Sequence, residues 1–232
     1  MTRTICFDTE TTGFNYQSGD RIIEIGAVEL IDGKITDKTF HEYINPGGKI
    51  IPPDSYRVHK LSNAFLNDKP LFAAIAPAFR EFIGDDPVVA HNGLGFDFPF
   101  INWELRAAGL AEIPRSQQVD SMIVAQGKIY NIPKYTLDAL AKWFNISLAT
   151  RADSHGALID AEILAKVWLE LSAAADQKTI AEIAAEQHAA FLAAPKSDGN
   201  FPRREFPVSA EQIAAHREWV AKEIKDSLWL AD

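Results

Sequence analysis

The segment RTICFDTETTG, residues 3–13, joins a short apolar stretch to two carboxylates and a polar turn. Residues 3–8 are typical of a buried β-strand. Asp8 and Glu10 stand two positions apart, so on a strand both side chains point to the same face. Two carboxylates held this close repel each other unless a cation lies nearby. The pattern is compatible with a divalent-cation site, but the spacing alone favours two ordinary surface acids.

The order of elements predicts a mixed sheet flanked by helices. Residues 22–30 and 35–44 are strand-like, and the Asp32-Gly33 pair between them is typical of a hairpin turn. A short buried strand is expected at residues 87–90, whereas Pro46-Gly47-Gly48 and Pro52-Pro53 indicate loops. Helical segments are predicted at residues 71–83, 98–108, 121–125 (with Asp120 as its N-cap), 137–144 and 157–174. Leading strands followed by alternating helices and a strand favour an α/β domain.

The composition changes towards the C-terminus. We expect a domain over residues 1–172, a helical extension over 173–194, a proline-containing linker over 195–208 and an amphipathic helix over 209–232. The apolar face of the last helix consists of Ile213, Val220, Ile224 and Leu228. This helix either docks on its own domain or binds a partner, and the sequence leaves both possibilities open.

Composition and charge exclude several classes of protein. The 232 residues are 47% hydrophobic and 24% charged, which is typical of a globular chain rather than a disordered one. The net charge of −9 lacks the basic footprint of a general nucleic-acid binder, but bound cations would reverse the local field. Cys6 is the single cysteine, which excludes an internal disulfide and a multi-thiolate zinc site. An N-terminus that turns acidic at once is unlike a signal peptide, and no apolar run is long enough to span a membrane, so a cytoplasmic location is expected.

Two further clusters carry residues suited to chemistry. The segment HNGLGFD, residues 91–97, places Asp97 next to a predicted helix start, where a carboxylate that favours the helix dipole is the alternative explanation. The segment HGALID, residues 155–160, places Asp160 on the first turn of the long helix and His155 just before it. An imidazole is a suitable general base near pH 7, and a solvated loop histidine is the alternative.

Taken together, DTETTG at residues 8–13, HN…FD at 91–97 and HGALID at 155–160 resemble the DnaQ-like DEDDh family of 3′–5′ exonucleases. The resemblance covers about residues 3–171. It implies an RNase H-like fold, with a five-stranded mixed sheet flanked by helices and a helical C-terminal extension. The position used by the tyrosine type of this superfamily is Gly156 here, so the chain resembles the histidine type.

The resemblance also implies roles for individual residues. The metal carboxylates would be Asp8, Glu10, Asp97 and Asp160, holding two Mg²⁺ or Mn²⁺ ions, and His155 would be the base; these five residues form the catalytic set. The substrate-binding residues would be Thr9, Thr11, Thr12, Gly13, Val58, His59, Asn92 and Phe96. Two departures from the family pattern stand out. Three residues rather than two separate His91-Asn92 from Phe96-Asp97, and Lys60 occupies a position where the family commonly has glycine.

The activity that the resemblance implies is removal of nucleoside 5′-monophosphates from DNA 3′ ends, as the proofreading component of a replicative DNA polymerase. Single-stranded or mismatched 3′ ends would be the favoured substrates. The C-terminal tail would bind the polymerase catalytic subunit, and residues 177–192 are a candidate contact for a sliding clamp, without a convincing peptide motif. An exoribonuclease with the same active site is the alternative function. A non-catalytic binding module of the same fold is disfavoured, because such a module does not need four clustered carboxylates.

Overall fold

The computed structural model describes residues 2–149, 155–173 and 180–193. They belong to a compact unit that ends at Ala193. The predicted linker over 195–208 and the amphipathic helix over 209–232 lie outside the described residues. Within the described ranges, none of the helices has the length and apolar character needed to cross a bilayer.

A five-stranded mixed sheet forms the centre of the unit, as the sequence predicts. Its strands are β1 (Arg3–Thr11), β2 (Ile22–Ile31), β3 (Lys34–Tyr43), β4 (Val88–Ala90) and β5 (Gln118–Asp120). The spatial order is β3-β2-β1-β4-β5. The first three strands pair antiparallel, and β4 and β5 run parallel to β1. β1 is therefore the middle strand. The antiparallel strands β2 and β3 lie on one side of it, and the parallel strands β4 and β5 lie on the other.

Helices cover both faces of this sheet. In the described part they are α1 (Pro53–His59), α2 (Asn63–Leu66), α3 (Phe72–Ile83), α4 (Asp97–Ala107), α5 (Ser121–Lys128), α6 (Leu137–Trp143), α7 (Ala157–Ala173) and α8 (Ile180–Ala193). The sequence predicts α3 to α8 with bounds shifted by a few residues. It misses β5, which is too short to show an alternating pattern, and it assigns Pro52-Pro53 to a loop. Pro53 instead opens α1, where the missing N–H of proline breaks no hydrogen bond.

Alternation along β1 directs its side chains to two different layers. Cys6 belongs to a buried cluster that includes Ala161 and Leu164 of α7. Phe7 points the other way and packs on Phe98 of α4, with ring centroids 5.4 Å apart. Since side chains alternate, Asp8 follows the Cys6 side and faces the α7 layer. The last residues of β1 thus lie between the first turns of α4 and α7.

Gly26 lets α7 lie directly on the sheet. It pairs with Asp8 across the β1–β2 ladder. A β-carbon at Gly26 would stand 2.1 Å from the backbone nitrogen of Leu158 and 2.3 Å from the carbonyl carbon of Ala157. These are main-chain atoms of the first turn of α7, so they cannot move aside as a side chain would. The absence of a side chain at Gly26 therefore fixes how close Asp160 comes to Asp8.

Replacing Gly26 with alanine should damage both stability and activity. The added methyl group forces the first turn of α7 away from β2, and overpacking of this kind costs about 1–3 kcal/mol. It also displaces Asp160, and a shift of about 1 Å in a catalytic group can cost about 10²-fold in rate. Thermal unfolding and activity assays would measure the two effects, with Gly33→Ala in the β2–β3 turn as the comparison. Full activity in Gly26→Ala would disprove the close docking of α7.

The structure accounts for the departure at Lys60. This residue ends α1 in the left-handed region, with φ at +61°. Glycine adopts this conformation most easily and is the common choice just after a helix. The backbone shape that favours glycine is therefore kept here, and lysine adopts it at some cost in strain.

Candidate active site

Three of the predicted site residues meet at the C-terminal end of β1. One ligand atom from each of Glu10, His155 and Asp160 lies within 4.8 Å of the others. His155 Nδ1 and Asp160 Oδ2 are 3.4 Å apart. Asp160 is buried, whereas the His155 side chain is 43% exposed. The group combines a sheltered carboxylate with an imidazole that water can reach.

Local hydrogen bonds hold the segment that carries this group. The Asp160 N–H donates to the carbonyl of Gly156 at 2.9 Å, which places Asp160 in the first turn of α7. The His155 N–H donates to the carbonyl of Val58 at 3.3 Å. The end of α1 therefore anchors the chain just before α7, and the imidazole is attached at that anchored point.

The other two predicted metal carboxylates belong to β1 itself and to the start of α4. Asp8 is half-buried and lies on the face of the strand that Glu10 shares. Asp97 is the first residue of α4 and is 3% exposed. The Thr9 hydroxyl donates to Asp97 Oδ1 at 2.7 Å. Successive residues of one strand thus present two carboxylates and hold a third, although Asp8 and Asp97 lie outside the 4.8 Å group.

The carboxyl of Asp97 is electrostatically unusual. Burial raises its pKa from 3.8 to about 7. The negative charge of Asp120 acts in the same direction, while the hydrogen bond from Thr9 lowers the pKa and offsets part of the rise. In the absence of a cation, Asp97 therefore keeps its proton up to nearly neutral pH.

This pKa predicts how the stability of the metal-free protein depends on pH. Between about pH 4 and pH 7, Asp97 is protonated in the folded protein and ionised in the unfolded chain. The folded state then binds more protons, so its stability falls as the pH rises through this window. Asp97→Asn lacks the effect, because asparagine does not ionise. In EDTA, wild type should lose more than about 1 kcal/mol relative to Asp97→Asn between pH 4.5 and pH 8. Parallel pH curves of unfolding free energy would contradict the assignment.

A small cavity of about 130 Å³ adjoins the acidic group. Its lining residues come from the turn after β1, from α1 and from the loop before α4: Glu10, Thr11, Gly13, Phe14, Ser55, Val58, His59 and Phe96. Five of the eight predicted substrate-binding residues are in this lining, namely Thr11, Gly13, Val58, His59 and Phe96. Glu10 belongs to both the cavity and the acidic group, so a molecule in the cavity is adjacent to the candidate metal ligands.

His59 offers a hydrogen-bond donor in this wall. Its Nδ1 accepts from the Leu61 N–H at 3.0 Å, which places the proton of the neutral ring on Nε2. Burial lowers the pKa of His59, so the ring is neutral at pH 7. Nε2 is buried and has no hydrogen-bond partner among the described residues. A buried donor of this kind is suited to an oxygen atom of a bound molecule.

The other three predicted substrate-binding residues lie outside the cavity lining. Thr9 is buried, and its hydroxyl donates to Asp97. Thr12 is fully buried, and its hydroxyl accepts from the Arg21 N–H at 3.0 Å. Asn92 is exposed, in the loop that leads to α4. The side chains of Thr9 and Thr12 are thus buried, and they bind neighbouring protein groups rather than lining the cavity.

Phe14 and Ser55 line the cavity although the sequence motifs do not single them out. Phe14 is 89% exposed, and its ring lies 6.2 Å from that of Phe96. An exposed aromatic ring on a cavity rim is suited to stacking on a flat molecule. Its position directly after Thr-Thr-Gly was the available signal. Ser55 could not be found in this way, because α1 itself was not predicted.

The extra residue between the two halves of the second motif is absorbed in a tight turn. Asn92 adopts a φ of +58°, and its carbonyl accepts from the N–H groups of Gly95 and Phe96. A β-carbon at Gly93 would stand 2.4 Å from that of Ala90. The loop is therefore compact, and Asp97 still reaches the first position of α4.

The donor set fits a hard divalent cation. Carboxylate oxygens are the ligands that Mg²⁺ and Mn²⁺ prefer. The half-buried Glu10 and the buried Asp160 bring negative charge into a partly enclosed site next to β1. A cation there would offset the repulsion between carboxylates.

Comparison with known proteins gives the family. A sequence profile described as "Exonuclease" matches residues 5–168. The chain belongs to the exonuclease family. The DNA polymerase III subunit epsilon of Rickettsia felis is 44% identical over 173 residues, which cover 73% of this exonuclease and 74% of the relative. The same subunit from Salmonella typhimurium is 35% identical over 100% of this chain and 98% of its own.

Among solved structures, exonuclease X in complex with 5′ overhanging duplex DNA is similar to this exonuclease, with a TM-score of 0.62 and 28% identity. The match covers 81% of this chain and 99% of exonuclease X. The predicted family and the predicted RNase H-like fold are confirmed. The enzyme is a 3′–5′ exonuclease, a hydrolase of phosphodiester bonds. Dependence on divalent metal is general for this family.

Proposed function

We propose that this exonuclease removes nucleoside 5′-monophosphates from the 3′ ends of DNA and proofreads for a replicative polymerase. The observation that carries the proposal is the position of the acidic group Glu10, His155 and Asp160 beside the cavity of about 130 Å³. The similarity to epsilon subunits of DNA polymerase III supports the replicative role. A cytoplasmic location is part of the same proposal.

The residues of the acidic set would bind two divalent ions, Mg²⁺ or Mn²⁺. We assign Asp8, Glu10, Asp97 and Asp160 as the ligands. Bound cations supply an activated water and offset the charge that develops on the leaving oxygen. Thr9 orients Asp97 through its hydrogen bond, and α7 sets the position of Asp160. The terminal nucleotide would occupy the cavity, with the Nε2–H of His59 donating to one of its oxygens.

His155 would accept the proton of the attacking water. Its Nδ1 faces the Asp160 carboxylate at 3.4 Å, which favours the tautomer with the proton on Nδ1. Nε2 is then the basic nitrogen. The partial exposure of the ring gives it access to water, and the bond from its backbone to Val58 fixes where the ring is attached.

Substrate preference tests this proposal. Three 5′-labelled substrates are compared in Mg²⁺: a primer-template with a matched 3′ end, the same duplex with a mismatched 3′ end, and RNA of the primer sequence. The proposal predicts faster shortening of the mismatched DNA than of the matched DNA, and little shortening of RNA. A preference for RNA would move the enzyme to RNA processing, and equal rates on both DNA ends would contradict proofreading.

Phe14 is expected to contribute to binding of the DNA strand. Its exposed ring offers a stacking surface for a base, and one such contact is worth about 1–3 kcal/mol. Phe14→Ala should therefore raise the KM for single-stranded DNA about tenfold and change kcat less. Tyr130→Ala is the matched control, because Tyr130 is also an exposed aromatic but does not line the cavity. An unchanged KM in Phe14→Ala would remove Phe14 from the binding site.

We also propose that residues 209–232, which lie outside the described residues, bind the polymerase catalytic subunit. The similarity to the Salmonella typhimurium subunit extends over the whole chain and so includes this tail. A chain that ends at residue 208 should keep its nuclease activity and fail to co-purify with the polymerase subunit. Undiminished co-purification would contradict this role.

A sliding clamp is an additional candidate partner, and residues 177–192 are its candidate contact. Binding assays with purified clamp would test this contact.

A further inference from the structure

The junction between β5 and α5 consists of Asp120 and Ser121, which lie outside the acidic group and the cavity lining. Asp120 is 1% exposed and Ser121 is fully buried. The sequence predicts Asp120 only as a helix cap, and its Oδ1 does accept from the Met122 N–H at 2.9 Å. This single bond satisfies the requirement of the cap. The carboxylate nevertheless makes further hydrogen bonds.

Those further bonds go to the loop that leads to Asp97. Asp120 Oδ1 accepts from the Asn92 N–H, and Oδ2 accepts from the Leu94 N–H, both at 3.1 Å. Both oxygens of one buried carboxylate therefore bind alternate backbone N–H groups of this loop. Hydrogen bonds to an ionised acceptor are stronger than those between neutral groups. The loop is also internally bonded, since the Phe98 N–H donates to the carbonyl of Gly93 at 2.9 Å. The loop and the first turn of α4 are thereby joined.

Ser121 holds the start of the same loop. The Ser121 hydroxyl and His91 Nδ1 are 2.9 Å apart, and His91 Nε2 is 2.8 Å from the carbonyl oxygen of Tyr135. A carbonyl only accepts, so Nε2 carries the proton, and Nδ1 of the neutral ring accepts from the hydroxyl. His91 is thus bound from both sides, by the junction and by the segment before α6.

The junction is in turn held from outside by α8. Gln187 Oε1 accepts from the backbone N–H of Asp120 at 3.0 Å, and Gln187 Nε2 donates to its carbonyl at 3.3 Å. β5 is an edge strand, so these two bonds satisfy backbone groups that no further strand pairs. The main chain of Asp120 therefore has little freedom to shift.

We infer that the Asp120-Ser121 junction is a positioning element for the exonuclease reaction, which fixes the 91–97 loop so that Asn92 and Asp97 face the site. The inference rests on the assignment of Asp97 to the metal site. Asp120 and Ser121 do not touch the substrate in this account, and they act only through the loop that they bind. Disturbing the junction should move Asp97 and Asn92 without unfolding the domain.

Asp120→Asn tests the inference with little change of shape. The amide keeps one acceptor oxygen and replaces the other by a donor, so at least one bond to the loop is lost. We expect kcat on single-stranded DNA to fall about 10–100-fold, because small displacements of catalytic groups are costly. KM should also rise, since Asn92 moves with the loop. Gln187→Ala should have a smaller effect in the same direction.

Gln117→Ala is the matched structural control. Gln117 is also buried, and its Nε2 donates to the carbonyls of Gly84 and Asp86 at the opposite end of β5. This variant should lower the thermal midpoint and leave kcat and KM unchanged. Asp120→Asn should lower kcat even where its thermal midpoint is no lower than that of Gln117→Ala. A kcat within twofold of wild type in Asp120→Asn would overturn the inference.

Ser121→Ala gives a second test that does not depend on the folding of Asp120→Asn. It removes the hydroxyl that binds His91 and should lower kcat several-fold, and an unchanged kcat would count against the inference. Asp97→Asn is assayed in parallel. If Asp97→Asn kept full activity, the assignment of Asp97 to the site would fail, which separates that error from an error about the junction.

Discussion

Replacing Asp8 with alanine is expected to abolish the nuclease activity while the fold stays intact. Asp8 lies on the face of β1 that Glu10 shares, opposite Gly26 and close to the start of α7. Bound cations contribute several kcal/mol to transition-state stabilisation, so the loss of this ligand should cost at least about 10³-fold in kcat. The assay is the shortening of 5′-labelled DNA in Mg²⁺.

Stability measurements separate this effect from unfolding. Without a cation, Asp8 adds to the negative charge around Glu10 and Asp160, so Asp8→Ala should unfold in EDTA at the same temperature as wild type or higher. The stabilisation of wild type by added Mn²⁺ should be weaker in the variant. Asp37→Ala, which removes an exposed acid on β3, is the matched control and should behave as wild type. Activity in Asp8→Ala within tenfold of wild type would contradict the role of Asp8.

Replacing His155 with alanine is expected to lower kcat about 10²–10⁴-fold, which is the usual contribution of a general base. His155 is attached just before α7, and its Nδ1 faces Asp160. A base that accepts the proton of water produces a rise of rate with pH, and the variant should lack this limb of the pH profile. Rates measured from pH 5.5 to pH 9 at saturating Mg²⁺ would show it.

The same variant distinguishes a base from a metal ligand. His155 belongs to the group of possible ligand atoms, so an alternative role in metal binding has to be separated from proton transfer. If His155 acts as the base, Mn²⁺ should bind to His155→Ala with nearly the wild-type affinity. A large loss of Mn²⁺ affinity would make His155 a ligand, and full activity in the variant would exclude both roles.

The sequence predicts those parts of the site whose residues lie close together along the chain. Asp8 and Glu10 share a face because strand side chains alternate, and Asp160 follows His155 by little more than one helical turn. The order of strands and helices predicts a mixed sheet flanked by helices, and the resemblance to the DEDDh family implies the RNase H-like arrangement. The structure brings Glu10, His155 and Asp160 together. The catalytic roles of these residues stay predictions until the variants are assayed.

The remaining features depend on contacts between distant segments, which local patterns do not contain. Thr9 lies between two acids in the sequence, yet it points to the other face of β1 and binds Asp97. In the sequence, Gly26 has no feature that distinguishes it from other residues of a strand. Only the structure shows that the backbone of α7 packs directly on it. The helix α1 was missed because two prolines indicate a loop, and Ser55 was missed with it, although the resemblance implied Val58 and His59 as substrate-binding residues.

The most direct test of the central claim is the chemical identity of the product and its dependence on metal. Purified enzyme is incubated with 5′-labelled single-stranded DNA in Mg²⁺ and in EDTA, and the fragments and released nucleotides are separated. The acidic group at the end of β1 predicts stepwise shortening from the 3′ end in Mg²⁺, release of nucleoside 5′-monophosphates, and no cleavage in EDTA. Cleavage that persists in EDTA, or release of 3′-monophosphates, would contradict a metal-dependent 3′–5′ exonuclease built on Asp8, Glu10, Asp97 and Asp160.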